Sequence, residues 1–186
     1  INASDLTVGT ISSETVLGQF KLIASATAPF TVDANAKSVD GFEFTKRLKT
    51  GGSGAVDKRA ISFTTTGAGN VIFYAMSGSN TAARAVNLLN ASGTVVGTAT
   101  VSGTELVKST IAIPEAGTYY LVSGNSGINF YLIGTDVALA DQKLMQQQKQ
   151  QQLTETQQKQ QQLQQLQRLM IQQKLLQQHQ LVRHLL

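Results

Sequence analysis

The stretch Ala60–Met76, AISFTTTGAGNVIFYAM, decides the fold. Ile61 and Phe63 alternate with Ser62 and Thr64, the pattern of a strand with one buried face. Gly67-Ala68-Gly69-Asn70 interrupts the run. Val71-Ile72-Phe73-Tyr74 then begins another, rich in β-branched and aromatic residues and apolar on both faces. Two such runs joined by a short Gly/Asn segment predict a β-hairpin whose second strand is buried inside a sandwich. The chain is then expected to grow from this central antiparallel pair, with strands added on both sides in sequence.

Outward from that pair, short apolar runs recur about every ten residues. Thr15–Ala24, Phe30–Val32 and Phe42–Leu48 precede it as candidate strands. Ala83–Leu89, Val95–Val101, Leu106–Ile113, Gly117–Ser123 and Asn129–Ile133 follow it. Turn signals separate them, among them Gly51-Gly52-Ser53-Gly54, Ser77-Gly78-Ser79-Asn80 and Gly124-Asn125-Ser126-Gly127. Many short strands at this spacing predict an all-β sandwich, antiparallel and jelly-roll-like.

A second part of unlike composition begins near Gly134. All 16 Gly and both Pro lie at or before that residue, whereas 20 of the 46 residues from Asp141 to Leu186 are Gln. The expected division is a sandwich over 1–134 and a long helix over 135–186, capped by Thr135 or Asp136. Fifty helical residues make a rod of roughly 75 Å, which gains little from propensity alone and calls for a partner. Leu163-Leu166-Met170 and Leu169-Leu176 fall at coiled-coil spacing, but Gln fills many seam positions and the apolar stripe wanders. The expected partner of 137–186 is a second copy or another helix; a low-complexity tail that is helical only in part is the alternative.

Charge follows the same division. Residues 1–136 carry nine Lys/Arg and nine Asp/Glu, so the tail supplies the whole net charge of +4. The basic balance therefore gives no reason to expect a nucleic-acid surface on the sandwich. No apolar run approaches the roughly 18 residues of a membrane helix. The absence of Cys excludes disulfides, thiolate metal sites and thiol nucleophiles. An opening at Ile1 without Met is expected of a processed secreted protein or of a piece cut from a longer one.

Catalytic chemistry is hard to place on this chain. His179 and His184 are the only histidines, and five residues on a helix put them about 140° apart, too far to converge on a metal. The sandwich has no His, which removes Ser-His and Cys-His arrangements from it. Its carboxylates are scattered, so an enzyme is not expected. Asp33, Asn35 and Asp40, read as one loop, offer oxygen ligands for a structural Ca²⁺, with simple turn formation as the cheaper reading.

One basic stretch carries more. In Phe42-Glu43-Phe44-Thr45-Lys46-Arg47-Leu48-Lys49, alternation puts Phe42, Phe44 and Leu48 on an inward face and presents Arg47 and Lys49 together on the other. With Lys58, Arg59 and Arg84 they make a cationic strip suited to carboxylates, which Arg binds bidentately. A solvated strand face with an ion pair to Glu43 is the alternative.

Several short motifs in order resemble a known family. They are Phe44-Thr45-Lys46-Arg47-Leu48-Lys49-Thr50-Gly51-Gly52, Ile61-Ser62-Phe63-Thr64-Thr65-Thr66-Gly67, Tyr74-Ala75-Met76-Ser77, and Arg84 with Asn87-Leu88. Gly117-Thr118-Tyr119-Tyr120 and Ser126-Gly127-Ile128-Asn129-Phe130-Tyr131 complete the set. Over about residues 5–134 the chain resembles the β-sandwich modules appended to secreted bacterial pectate lyases and pectinesterases. The resemblance implies a secreted, non-catalytic module that binds pectic, uronate-bearing polysaccharide. It implies a site of Arg47, Lys49, Arg84, Ser123, Asn125 and Asn129, pairing carboxylates and hydrogen-bonding hydroxyls, with no cofactor. Without Trp, stacking platforms are expected from Tyr74, Tyr119, Tyr120 or Tyr131. The Gln-rich tail has no counterpart in that family. A structural reading stands beside this one: a rigid sandwich whose tail drives assembly into a bundle or filament, as a natural pairing or a fusion.

Overall fold

A computed structural model describes residues 1–183; for 142, 143, 145, 146, 148, 149 and 175–183 it describes the backbone alone. Twelve strands form two six-stranded antiparallel sheets, followed by a single helix. The first sheet is ordered β1 (Gly9–Ile11), β4 (Phe30–Val39), β5 (Phe42–Lys49), β12 (Ile128–Thr135), β7 (Gly69–Ser77) and β10 (Val107–Ile113). The second is ordered β2 (Thr15–Leu17), β3 (Phe20–Ile23), β6 (Ala60–Thr65), β11 (Gly117–Ser123), β8 (Arg84–Asn90) and β9 (Val95–Val101). The architecture is the expected β-sandwich.

The two runs of Ala60–Met76 are both interior strands, but they are not a hairpin. β6 lies between β3 and β11 in one sheet, and β7 between β12 and β10 in the other. The Thr66-Gly67-Ala68 segment turns the chain from sheet to sheet. A later part of the chain holds this corner: Thr66 N–H donates to the Ala138 carbonyl at 3.0 Å, and Asp136 accepts from Asn70 N and Nδ2 at 2.6 and 2.7 Å. Gly69 permits it, since a Cβ there would lie 2.7 Å from Val137 Cβ and 2.8 Å from Asp136 Oδ1. A hairpin reading is built on local turn chemistry and contains none of these contacts.

Between the sheets, inward side chains of every central strand form one core. It includes Phe20, Leu22, Phe30, Leu48, Ile61, Phe63, Phe73, Leu88, Leu121 and Phe130, with Phe20 edge-on to Phe63 and Phe73 edge-on to Phe130. Both sheets also carry apolar groups on their outer faces. On the second sheet Ile23, Ala60, Leu89 and Val122 are covered by Val56 from the loop after β5. That loop is strapped down, with Gly54 N–H bonded to the Ser123 carbonyl at 2.9 Å and Thr50 Oγ1–H to the Gly52 carbonyl at 3.1 Å. On the first sheet Phe44, Tyr74, Met76, Leu106 and Tyr131 form a separate cluster.

The helix α1 spans Gln142–Arg183, so its expected start at Thr135 or Asp136 is corrected. Asp136 is taken by Asn70, and Ala140 N–H donates to the Thr64 carbonyl at 2.8 Å, which keeps 135–140 on the sandwich. The chain divides into two compact units, Ile1–Gln142 and Lys143–Leu186. Along the helix Leu144, Leu153, Leu163, Leu166, Leu169, Met170 and Ile171 are each more than half exposed. Thr154 and Thr156 return their hydroxyls to the carbonyls four residues earlier. The side chains of Leu176 and His179, and His184 as a whole, lie outside the described residues. No described helix is long and apolar enough to cross a membrane.

Candidate functional site

On its outer face the first sheet brings together the ends of three strands. β5 pairs with β4 so that Arg47 stands directly opposite Asp33, and with β12 so that Lys49 stands opposite Asn129. Directly opposed residues share a face. Arg47 Nε and Nη2 donate to the two Asp33 carboxylate oxygens at 2.7 and 3.2 Å, and Lys49 Nζ donates to Oδ2 at 3.1 Å. Phe42 and Phe44, expected to face inward with Leu48, lie instead on this outer face against Tyr74 and Tyr131, because the β4–β5 ladder shifts register between Ala34 and Lys37. Glu43, the partner expected from the sequence, therefore falls on the face away from Arg47. The Arg47 fork, with Lys49 beside it, holds the Asp33 carboxyl below its ordinary range and raises the Arg47 guanidinium.

Behind this pair, Tyr131 is buried and donates to Asn35 Oδ1 at 2.6 Å. Burial pushes its phenol up, against the pull of Arg47. The loops then close one end. Arg84 Nη1 and the Gly78 N–H both donate to the Gly127 carbonyl, at 2.7 and 2.8 Å. A Cβ on Gly78 would lie 2.7 Å from that carbonyl oxygen and 3.1 Å from Arg84 Nη1, so only Gly allows the approach. Asn129 is fixed by its Nδ2 on the Ser77 carbonyl at 3.2 Å.

These groups line an open depression of about 310 Å³, formed by Arg47, Lys49, Gly51, Gly78, Asn80, Arg84, Ser126, Gly127 and Asn129. Three cations face one carboxylate, so the surface is net positive. Asp33 takes Nε and Nη2 of Arg47 and one Lys49 donor, Tyr131 also bonds Arg47, and Arg84 places Nη1 on the Gly127 carbonyl. The depression therefore presents fixed cationic donors, with Asn80, Ser126 and Asn129 to serve hydroxyl groups.

Four of the six expected site residues, Arg47, Lys49, Arg84 and Asn129, meet in this one place. Ser123 does not: it is fully buried, and its Oγ bonds both the carbonyl and the N–H of Ser126, which fixes the turn. Asn125 is exposed in that turn and off the lining. Arg59 sits apart, its Nη2 on the Thr27 carbonyl at 3.0 Å. Tyr74, Tyr119 and Tyr131 are no stacking platforms, because at 4, 3 and 1 % exposure each is core. Tyr120 packs beside the second sheet's outer cluster.

The calcium loop is corrected as well. Asp33 and Asn35 are on β4, and Asp40 accepts from the Tyr74 hydroxyl at 3.3 Å, so each oxygen set already holds a protein donor. No group of three or more His, Cys, Asp or Glu among the described residues is placed to hold a metal. Asp33, read from the sequence as a calcium ligand or turn former, and Gly78, Asn80 and Ser126, none of them among the six expected site residues, join the site only in the structure. In the sequence the loop residues read only as turn formers, and Asp33 lay beyond the expected end of β4 at Val32.

No protein-family model matches the chain, and no curated protein matches it. Among solved structures, it is similar to the CBM22-1 xylan-binding domain of Paenibacillus barcinonensis Xyn10C. Identity is 12%, with 60% of this chain and 86% of that chain covered at a TM-score of 0.38. It is also similar to the arabinose-bound MgGH51 α-L-arabinofuranosidase, at 16% identity, covering 69% of this chain and 26% of that chain at a TM-score of 0.31. Neither likeness bears on ligand or activity.

Proposed function

We propose that the sandwich is a non-catalytic module, working outside the cell, that binds a carboxylate-bearing polysaccharide of the pectic kind. The observation that supports this reading is the Arg47–Lys49–Arg84 depression. It holds more cations than its single carboxylate neutralises, with amide and hydroxyl groups beside them. A uronate chain supplies the matching groups, a carboxylate for the fork-shaped donors and hydroxyls for the rest. The test is retention on immobilised polygalacturonate against a neutral glucan. The double variant K49Q/R84Q leaves the Arg47–Asp33 pair in place. Charge-assisted bonds of about 1.5–3 kcal/mol each predict that it loses a factor of at least ten in affinity. Equal retention of wild type and variant would sink the proposal.

A second reading rests on a separate observation, the seven half-exposed Leu, Met and Ile side chains of the helix. They favour self-association of the Gln-rich segment, with the sandwich as a rigid passenger.

A further inference from the structure

Phe42 is the one exposed aromatic side chain of the sandwich: Tyr120 is half-buried, and the other nine Phe and Tyr are buried. It is 48% exposed at the tip of the β4–β5 hairpin. Its position is rigidly specified. Val39 pairs with Phe42 across a two-residue turn, Asp40-Gly41, whose positive φ values of 52° and 78° are those of a tight hairpin turn. Asp40 is held from below by the Tyr74 hydroxyl. The Phe42 ring lies nearly parallel to Phe44, at 16° and 6.3 Å, and packs against Tyr74 at 5.4 Å. The ring is thus backed on one side by a buried aromatic cluster and open to solvent on the other.

This ring is on the same sheet face as the cationic depression. Phe44, beneath it, contacts Tyr131 at 5.7 Å, and Tyr131 adjoins Arg47. Lys37 stands opposite Phe44, and Lys108 opposite Tyr74, so both share this face and flank the aromatic cluster. From Phe42 to Arg47 is five residues of β5, about 17 Å of strand.

We propose that Phe42 is a second contact for the same ligand, a platform on which the apolar face of a sugar ring stacks, so that the polymer lies along β5 from the depression to the hairpin tip. The inference rests on the binding reading above and adds a length requirement. A diuronate fills only the depression. A chain spanning about 17 Å or more reaches both contacts.

The experiment is calorimetric titration of the whole chain, as wild type, F42A, F42L and K49Q/R84Q, with oligogalacturonates from the dimer upward. Wild-type affinity is expected to rise with length until the span is filled. F42A and F42L are expected to bind the dimer like wild type and the long oligomers about threefold to about tenfold more weakly. K49Q/R84Q is expected to weaken at every length. F42L keeps an apolar side chain, so a loss shared by both Phe42 variants at unchanged thermal stability reports the ring itself. Wild-type binding that Phe42 substitution leaves intact at all lengths overturns the platform and spares the depression. Wild type that binds no length overturns both.

Discussion

Arg47 and Asp33 face each other across the β4–β5 ladder, with Nε 2.7 Å from Oδ1 and Nη2 3.2 Å from Oδ2. The pair has two consequences for one surface. It fixes the Arg47 fork in a single orientation and holds Lys49 beside it. It also cancels part of the charge that an acidic ligand would meet.

The stability effect has a definite sign with pH. Asp33 titrates below its ordinary value of 3.8 in the folded chain, chiefly because Arg47 bonds its ionised form. Its contribution is complete above the unfolded value and disappears as pH falls through the folded one, where the unfolded chain takes up the proton first. The carboxylate is one-third exposed, so about 1 kcal/mol is at stake. Urea unfolding of wild type and D33N should differ by that amount at about pH 7 and converge in acid, once pH has fallen below the folded-state value of Asp33. A gap that persists in acid would assign the loss to packing.

The binding effect runs the other way. D33N removes the one carboxylate beside three cations, so uronate affinity should rise about threefold at low salt and the gain should shrink as salt is added. Weaker binding instead would mean that holding the Arg47 fork in place matters more than the repulsion.

What the sequence disclosed here was periodicity, and what it withheld was partnership. The bounds of Ala60–Thr65, Val95–Val101 and Gly117–Ser123 follow from alternation and turn residues, which are local. Nothing local says that Thr65 and Gly69 enter different sheets, because the contacts that decide it come from Asp136–Ala140, about seventy residues on. The site divides in the same way. Arg47 and Lys49 are two apart on one strand, and alternation places them together. Their meeting with Gly78, Arg84 and Gly127 depends on loops at one end of a sheet, which spacing cannot encode. β1, three residues long, carries no periodic signal at all.

Gly78 tests whether that loop closure matters. G78A would put a methyl 2.7 Å from the Gly127 carbonyl oxygen, in the path of the Arg84 bond. Backbone must shift to relieve it, at about 1–3 kcal/mol. Both thermal stability and polygalacturonate retention should fall, with retention falling further than in a variant of equal stability elsewhere, such as an Ile61→Val core substitution. Unchanged retention would show that Arg84 binds from another position or not at all.

The strongest separation of the two functional readings comes from where the chain is cut. Ending it at Gly134 removes the Thr66–Ala138 and Ala140–Thr64 backbone bonds and the packing of Val137 and Leu139 against the core. A loss of about 2–4 kcal/mol is expected. Ending it at Gln142 keeps them all, so that chain should unfold like the sandwich of the whole protein and bind polygalacturonate equally well. Light-scattering mass across a concentration series then isolates the helix. The whole chain should grow in mass with concentration while the chain ending at Gln142 stays monomeric, since the half-exposed Leu163, Leu166 and Met170 gain burial only against another helix. If the shorter chain associates as strongly, the contact is on the sandwich. If neither associates, the assembly reading fails and glycan binding is the function left to the molecule.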